Sequence, residues 1–128
     1  MPRHLVCLTF DFDALSLWIA RGMMSPTPIS QGEFGAVGAE RILALLDAHA
    51  IPATWFIPSH TLETYPALCA RIHAAGHEIG NHGYAHEAPV GLTREAEEAV
   101  LLRGNDAIRR ITGVPFRQPA SLPSPASR

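Results

Sequence analysis

The sequence predicts an α/β fold in which parallel strands alternate with helices, and three observations carry that prediction. Segments of strand length stand at 5–12, 53–57 and 78–81, the first two of them apolar, helical periodicity recurs between and after them, and Pro or Gly punctuates the joints. Strand–helix units in succession imply right-handed crossovers and therefore a parallel sheet.

A length of 128 residues is that of one domain, and 47% hydrophobic content is ordinary for a soluble globular chain. A formal net charge of -2 and a pI near 6.4 give no electrostatic reason to expect nucleic acid or an anionic membrane as partner. No apolar run is long enough to span a membrane, and the segment from Met1 to Val6 has no charged leader before a long apolar stretch. A cytoplasmic protein is the expectation. Cys7 and Cys69 lie far apart in apolar segments, which predicts two buried free thiols rather than a disulfide.

The first strand, 5–12, alternates Cys7, Thr9, Asp11 and Asp13 with Val6, Leu8, Phe10 and Phe12. Up to Phe10 the run is largely apolar, and the strand is expected to be buried on both faces. Asp11 and Asp13 share a face at its C-terminal end, where α/β folds place active sites. Residues 14–38 are rich in Gly, Ser and Pro and read as a long connection. Within it Trp18, Met23 and Met24 either line a cleft or oligomer contact, or Leu15, Leu17 and Trp18 pack over the sheet. A first helix follows at 37–50, marked by Ile42, Leu45, Leu46 and His49, with His49 at its exposed end.

The second strand, 53–57, stops at Pro58, so His60 beyond it is either a substrate contact or a plain loop residue. Tyr65, Leu68, Cys69 and Ile72 mark a second helix capped by Thr64, with Pro66 in its first turn, His73 solvated and Gly76 closing it. The third strand, 78–81, delivers His82 to the rim that holds Asp13. His77 and Glu78 are expected to make structural hydrogen bonds, and Asn81 and Glu87 to hold the nearby imidazoles in one tautomer. Thr93 starts a third helix, with Glu95, Glu97 and Glu98 near its positive end, Arg109 and Arg110 near its negative end, and Gly113 closing it. Residues 115–117 open a fourth strand. Linker composition from Gln118 makes 120–128 a disordered tail and 1–119 the domain.

The chemistry concentrates in Gly76-His77-Glu78-Ile79-Gly80-Asn81-His82-Gly83-Tyr84-Ala85-His86-Glu87. His82 and His86, four apart, face one way on a helical turn or in a tight helical loop. Two neutral imidazoles and one carboxylate commonly bind a catalytic zinc that keeps a position open for water. The best carboxylate donor is Thr9-Phe10-Asp11-Phe12-Asp13.

With Phe116-Arg117-Gln118-Pro119 as a candidate Arg-x-Pro, these segments in this order resemble the polysaccharide deacetylase family from about 5 to 119. The family's motifs are a Thr-Phe-Asp strand end, His-x3-His and Arg-x-Pro. Its commonest pattern has two adjacent acids followed by Gly, whereas Phe12 here separates Asp11 from Asp13. That variant looks like the intracellular branch of peptidoglycan deacetylase-like proteins and of the allantoinase-like amidohydrolases of cyclic ureides and imides.

The resemblance implies the N-terminal portion of an irregular (β/α)7 barrel. It implies Asp13, His82 and His86 as ligands of a divalent metal, zinc or else cobalt, nickel or manganese, although some members of that branch need no metal. Asp11 would be the general base, Arg117 would hold Asp11 ionised, and a backbone N–H beyond Pro119 would help stabilise the oxyanion. The implied reaction is metal-dependent amide hydrolysis that deacetylates an N-acetylated sugar polymer or oligomer. A cyclic ureide or imide is the alternative substrate. A third reading follows from missing motifs: the family's later catalytic His and the aromatic residues lining its acetyl pocket have no counterpart here. The chain would then be a truncated, catalytically silent half-domain that binds metal or, through a bare sheet edge, forms a homo-oligomer.

Overall fold

The computed structural model describes residues 4–114. The expected fourth strand at 115–117 and the tail at 120–128 lie outside the described residues. Three strands, β1 (Thr9–Asp11), β2 (Thr54–Ile57) and β3 (Glu78–Asn81), pair in parallel in the order β1-β2-β3. Register places Phe10, Trp55 and Ile79 side by side, so alternation puts them on one face. Helices α2 (Pro26–Ala48), α4 (Pro66–Ala74) and α5 (Arg94–Thr112) bury that face. Their Leu43, Leu46, Leu68, Cys69, Ile72, Ala107 and Ile108 join Trp55 and Ile57 in one core. Two short helices, α1 (Ser16–Ala20) and α3 (Ser59–Thr64), stand just beyond β1 and β2. Among the described residues no helix is long and apolar enough to cross a membrane.

The first strand is shorter than expected and is not buried on both sides. Leu5 is 92% and Val6 82% exposed, and Thr9 and Asp11 are exposed as well. The cause is its position at the sheet edge: β2 offers only four residues, and the bond from Thr54 N to the Leu8 oxygen, at 3.1 Å, extends the pairing back only to Leu8. Cys7 therefore lies exposed, against expectation, while Cys69 is buried as expected; both are free thiols.

The segment 14–38 is not a loop but α1 and the first half of α2. Pro26 opens α2, where its missing N–H costs nothing. Gly32 and Gly35, one helical turn apart, form a notch: a Cβ on Gly32 would sit 2.7 Å from Trp18 Cδ1, and one on Gly35 would sit 3.3 Å from Ala14 Cα. Leu15 and Trp18 thus pack against α2, and Met23 and Met24 stay exposed. The buried stripe of α2 is Ala39, Leu43 and Leu46, with Leu45 turned outward.

The second expected helix is also divided. Thr64 ends α3 and donates to the His60 oxygen at 2.7 Å, so Tyr65 rather than Thr64 precedes α4. Pro66 explains the break, because a proline disfavours helical backbone at the residue before it. α5 matches expectation at both ends: Thr93 Oγ1 accepts from Ala96 N at 3.2 Å, and Gly113 closes the helix with φ +69°.

Candidate metal centre

Parallel strands end on one rim, and the residues just past β1 and β3 meet there. The Asp13 carbonyl accepts from Ser16 N at 3.0 Å, Ser16 Oγ at 2.7 Å and Thr61 Oγ1 at 2.7 Å. Ser16 and Thr61 are fully buried, so two helices fix the turn that presents the Asp13 carboxylate. On the other side, the Gly83 oxygen accepts from Ser59 N at 3.0 Å, and the Tyr84 oxygen from His60 N at 2.9 Å. Glu87 Oε2 accepts from Tyr84 N and Ala85 N, both at 3.0 Å. Positive φ at Gly83 (+75°) and His86 (+64°) curls this segment into a tight loop rather than a turn of helix.

The result is a convergent triad. His82 Nε2 lies 3.4 Å from Asp13 Oδ1, and His86 Nε2 lies 3.5 Å from Asp13 Oδ2. The two imidazoles are 5.0 Å apart at 85°, and the three ligand atoms lie within 4.8 Å of one another. Two ligand atoms about 2.1 Å from one tetrahedral zinc stand roughly 3.4 Å apart, so the spacing suits such an ion. Asp13 Oδ1 and His82 Nε2 are both buried without a hydrogen-bond partner. Buried polar atoms are ordinarily satisfied, and a cation between them would satisfy both.

Of the other anticipated residues, Asp11 and Trp18 line, together with Asp13, an open cavity of about 300 Å³ beside β1. Arg117 lies outside the described residues. His60 is on α3, half-buried, with its ring edge-on to Tyr84 at 6.5 Å. His77 Nδ1 accepts from Ala53 N at 3.1 Å, and Glu78 Oε2 accepts from Thr54 Oγ1 at 2.7 Å, as expected of structural groups. His49 is exposed, and His73 is half-buried on α4.

Asn81 and Glu87 depart from expectation, since neither hydrogen-bonds an imidazole. Asn81 belongs to the helix-facing row of β3, where its amide donates to the Leu101 oxygen and Asn105 Oδ1, both at 2.8 Å. Its Oδ1 accepts from Gly83 N at 3.0 Å. Glu87 acts on the loop backbone in the same way. Ser16 and Thr61 were not anticipated; the Asp13-x-x-Ser16 spacing is a local signal for Ser16 alone.

Comparison with known proteins shows the family of the chain. The family model described as polysaccharide deacetylase matches residues 1–125. A peptidoglycan deacetylase of Helicobacter pylori is 44% identical over 112 residues, which cover 85% of this chain and 38% of that protein. A peptidoglycan deacetylase-like protein of Gibberella zeae is 37% identical over 126 residues, covering 91% of this chain and 37% of its own. A crystal structure from Mycobacterium smegmatis, classed with the polysaccharide deacetylases, superposes with a TM-score of 0.77 at 36% identity, over 85% of this chain and 40% of that one. The chain thus spans about two fifths of the length of these relatives. Its strand–helix units correspond to a part of the (β/α)7 barrel of these structures.

Proposed function

The chain belongs to the polysaccharide deacetylase family, and from that premise we propose that its domain, residues 1–119, serves to remove acetyl groups from an N-acetylated sugar polymer or oligomer. The observation that carries this reading is the convergence of Asp13, His82 and His86 around two unpartnered buried atoms. These three residues would hold a divalent ion, zinc in the first instance, with cobalt, nickel or manganese as substitutes. Such an ion, when bound, polarises an amide carbonyl and acidifies water.

The remaining work falls to the chain's own groups. Asp11 is the last residue of β1, two before Asp13, and lines the same cavity. Its carboxylate would take the proton that the attacking water gives up, and Arg117 would keep it ionised through a charge-assisted contact. Trp18, on the cavity wall, would offer an apolar surface to a sugar ring. The relatives named above are peptidoglycan deacetylases or proteins like them, which favours a glycan over a cyclic ureide or imide. Free thiols at Cys7 and Cys69 fit a reducing, cytoplasmic setting.

The test is zinc content of the purified 128-residue chain beside Asp13→Ala and His82→Ala, with acetate release from N-acetylglucosamine oligomers. One zinc per chain, lost in both variants, is expected, together with acetate release that Asp11→Asn abolishes while zinc stays bound. Zinc retained by both variants, or turnover of a cyclic imide with no acetate from the oligomer, overturns the proposal. Zinc binding with no turnover of either substrate favours the silent half-domain.

A further inference from the structure

We infer that Tyr84 and Arg103 form a positioning pair that holds the loop between His82 and His86 in its ligand-presenting shape; the inference rests on the metal-site reading above. Tyr84 stands midway between the two imidazoles in sequence, and it is held at every part. Its N–H donates to Glu87 Oε2 at 3.0 Å, its oxygen accepts from His60 N at 2.9 Å, and its hydroxyl donates to Glu63 Oε2 at 3.2 Å. Its ring carries the Arg103 guanidinium, with the central carbon 3.4 Å from the ring centroid, and meets the His60 ring at 84°. That separation is well inside the reach of a cation–π contact, which a cation of either kind, guanidinium or ammonium, can make with a tyrosine ring.

The loop needs such a hold. His86 has φ +64°, a left-handed backbone that a residue with a side chain keeps only where its surroundings over-determine it. Two residues earlier, the Tyr84 ring is the point at which α5, through Arg103, and α3, through His60 and Glu63, grip that loop together. Release of the ring frees His86 to relax and turns its Nε2 away from Asp13. Arg103 itself is exposed and touches no metal ligand in the contacts above, so its effect on the site passes through Tyr84.

Zinc affinity, read by competition with a chromogenic chelator, is compared for the unsubstituted chain, Arg103→Met and Arg103→Lys. Arg103→Met is expected to bind zinc about tenfold more weakly, as removal of a ligand's supporting partner does. Arg103→Lys, which keeps the cation, is expected to stay within about threefold. The melting temperature of the zinc-free chain is expected to be unchanged in both. Amide hydrogen exchange at Tyr84 and Ala85 in the zinc-free chain reads the same hold without metal and is expected to quicken in Arg103→Met alone. Equal exchange or equal zinc affinity in Arg103→Met overturns the pair. Failure of the unsubstituted chain to bind zinc overturns the metal-site reading instead, and the exchange measurement still decides the pair.

Discussion

The Thr61 hydroxyl donates a 2.7 Å hydrogen bond to the main-chain oxygen of Asp13, across 48 residues of sequence. Through it, α3 grips the end of β1 and fixes where the Asp13 carboxylate points. Thr61→Val keeps the shape of the side chain and removes the donor. Because Ser16 still supplies two bonds to the same oxygen, the expected loss is about 1 kcal/mol, with weaker zinc binding. Urea unfolding of the zinc-free chain checks the first, as a lower midpoint at unchanged slope, and chelator competition the second. No change in either would remove Thr61 from the site.

His77 ties the start of β3 to the start of β2. It is 5% exposed, and its Nδ1 is the acceptor for Ala53 N. Leucine of similar bulk at this position would leave a buried N–H without a partner, at a cost of about 1–3 kcal/mol. His49→Ala, at an exposed position, is expected to change stability by less than about 0.5 kcal/mol. Equal unfolding midpoints for the two variants would mean that water reaches Ala53 and that the bond contributes little.

These two contacts also mark where the sequence is legible and where it is not. The triad could be read because its signals are local: His82 and His86 stand four apart, and Asp13 ends an apolar run. α5 could be read because Thr93 and Gly113 are end signals with a physical meaning. Gly32 and Gly35 misled because a glycine in a loop and a glycine in a packing notch look alike until the residues facing them are known. Ala14 and Trp18 are those residues, brought there only by the fold. Asn81 is an error of a different kind. Strand alternation puts it on the side of Ile79, facing α5, while His82 belongs to the next position, so parity alone argues against an Asn81 contact with the imidazoles. Thr61 and Arg103 gave no sign, since each acts on a residue far away in sequence.

The two thiols are expected to behave differently. Burial pushes the Cys69 thiol up to about 12, while Cys7 is exposed. At pH 8 an alkylating reagent is expected to modify Cys7 alone, and both thiols once denaturant is added. The sign of the pH dependence follows from the same shift. Below the ordinary thiol value, near 9.0, both folded and unfolded chains keep the proton and Cys69 adds no pH dependence. From there up to about 12 the unfolded chain releases a proton that the folded chain keeps, so stability falls as pH rises. Cys69→Ala should lose that part of the alkaline slope; an unchanged slope would place the loss elsewhere, and rapid alkylation of Cys69 in the native chain would contradict its burial.

Gly104 and Gly38 make opposite predictions from the same substitution. Both lie inside helices, where alanine is favoured over glycine by about 1 kcal/mol. Around Gly38 there is nothing within 4 Å of an added Cβ, so Gly38→Ala is expected to realise that gain. At Gly104 the added Cβ would fall on the side-chain amide of Asn81. That amide cannot swing aside freely, because it bonds Leu101, Asn105 and Gly83 at once. Either α5 shifts from β3 or Asn81 lets go of Gly83, the residue next to His82. Gly104→Ala is therefore expected to lose about 1–3 kcal/mol net, as overpacked sites do, and to bind zinc more weakly. Thermal unfolding of the two variants in parallel, with a zinc titration of each, checks this. A matching gain in both would show that Asn81 yields without cost and that α5 does not hold the His82 loop through it.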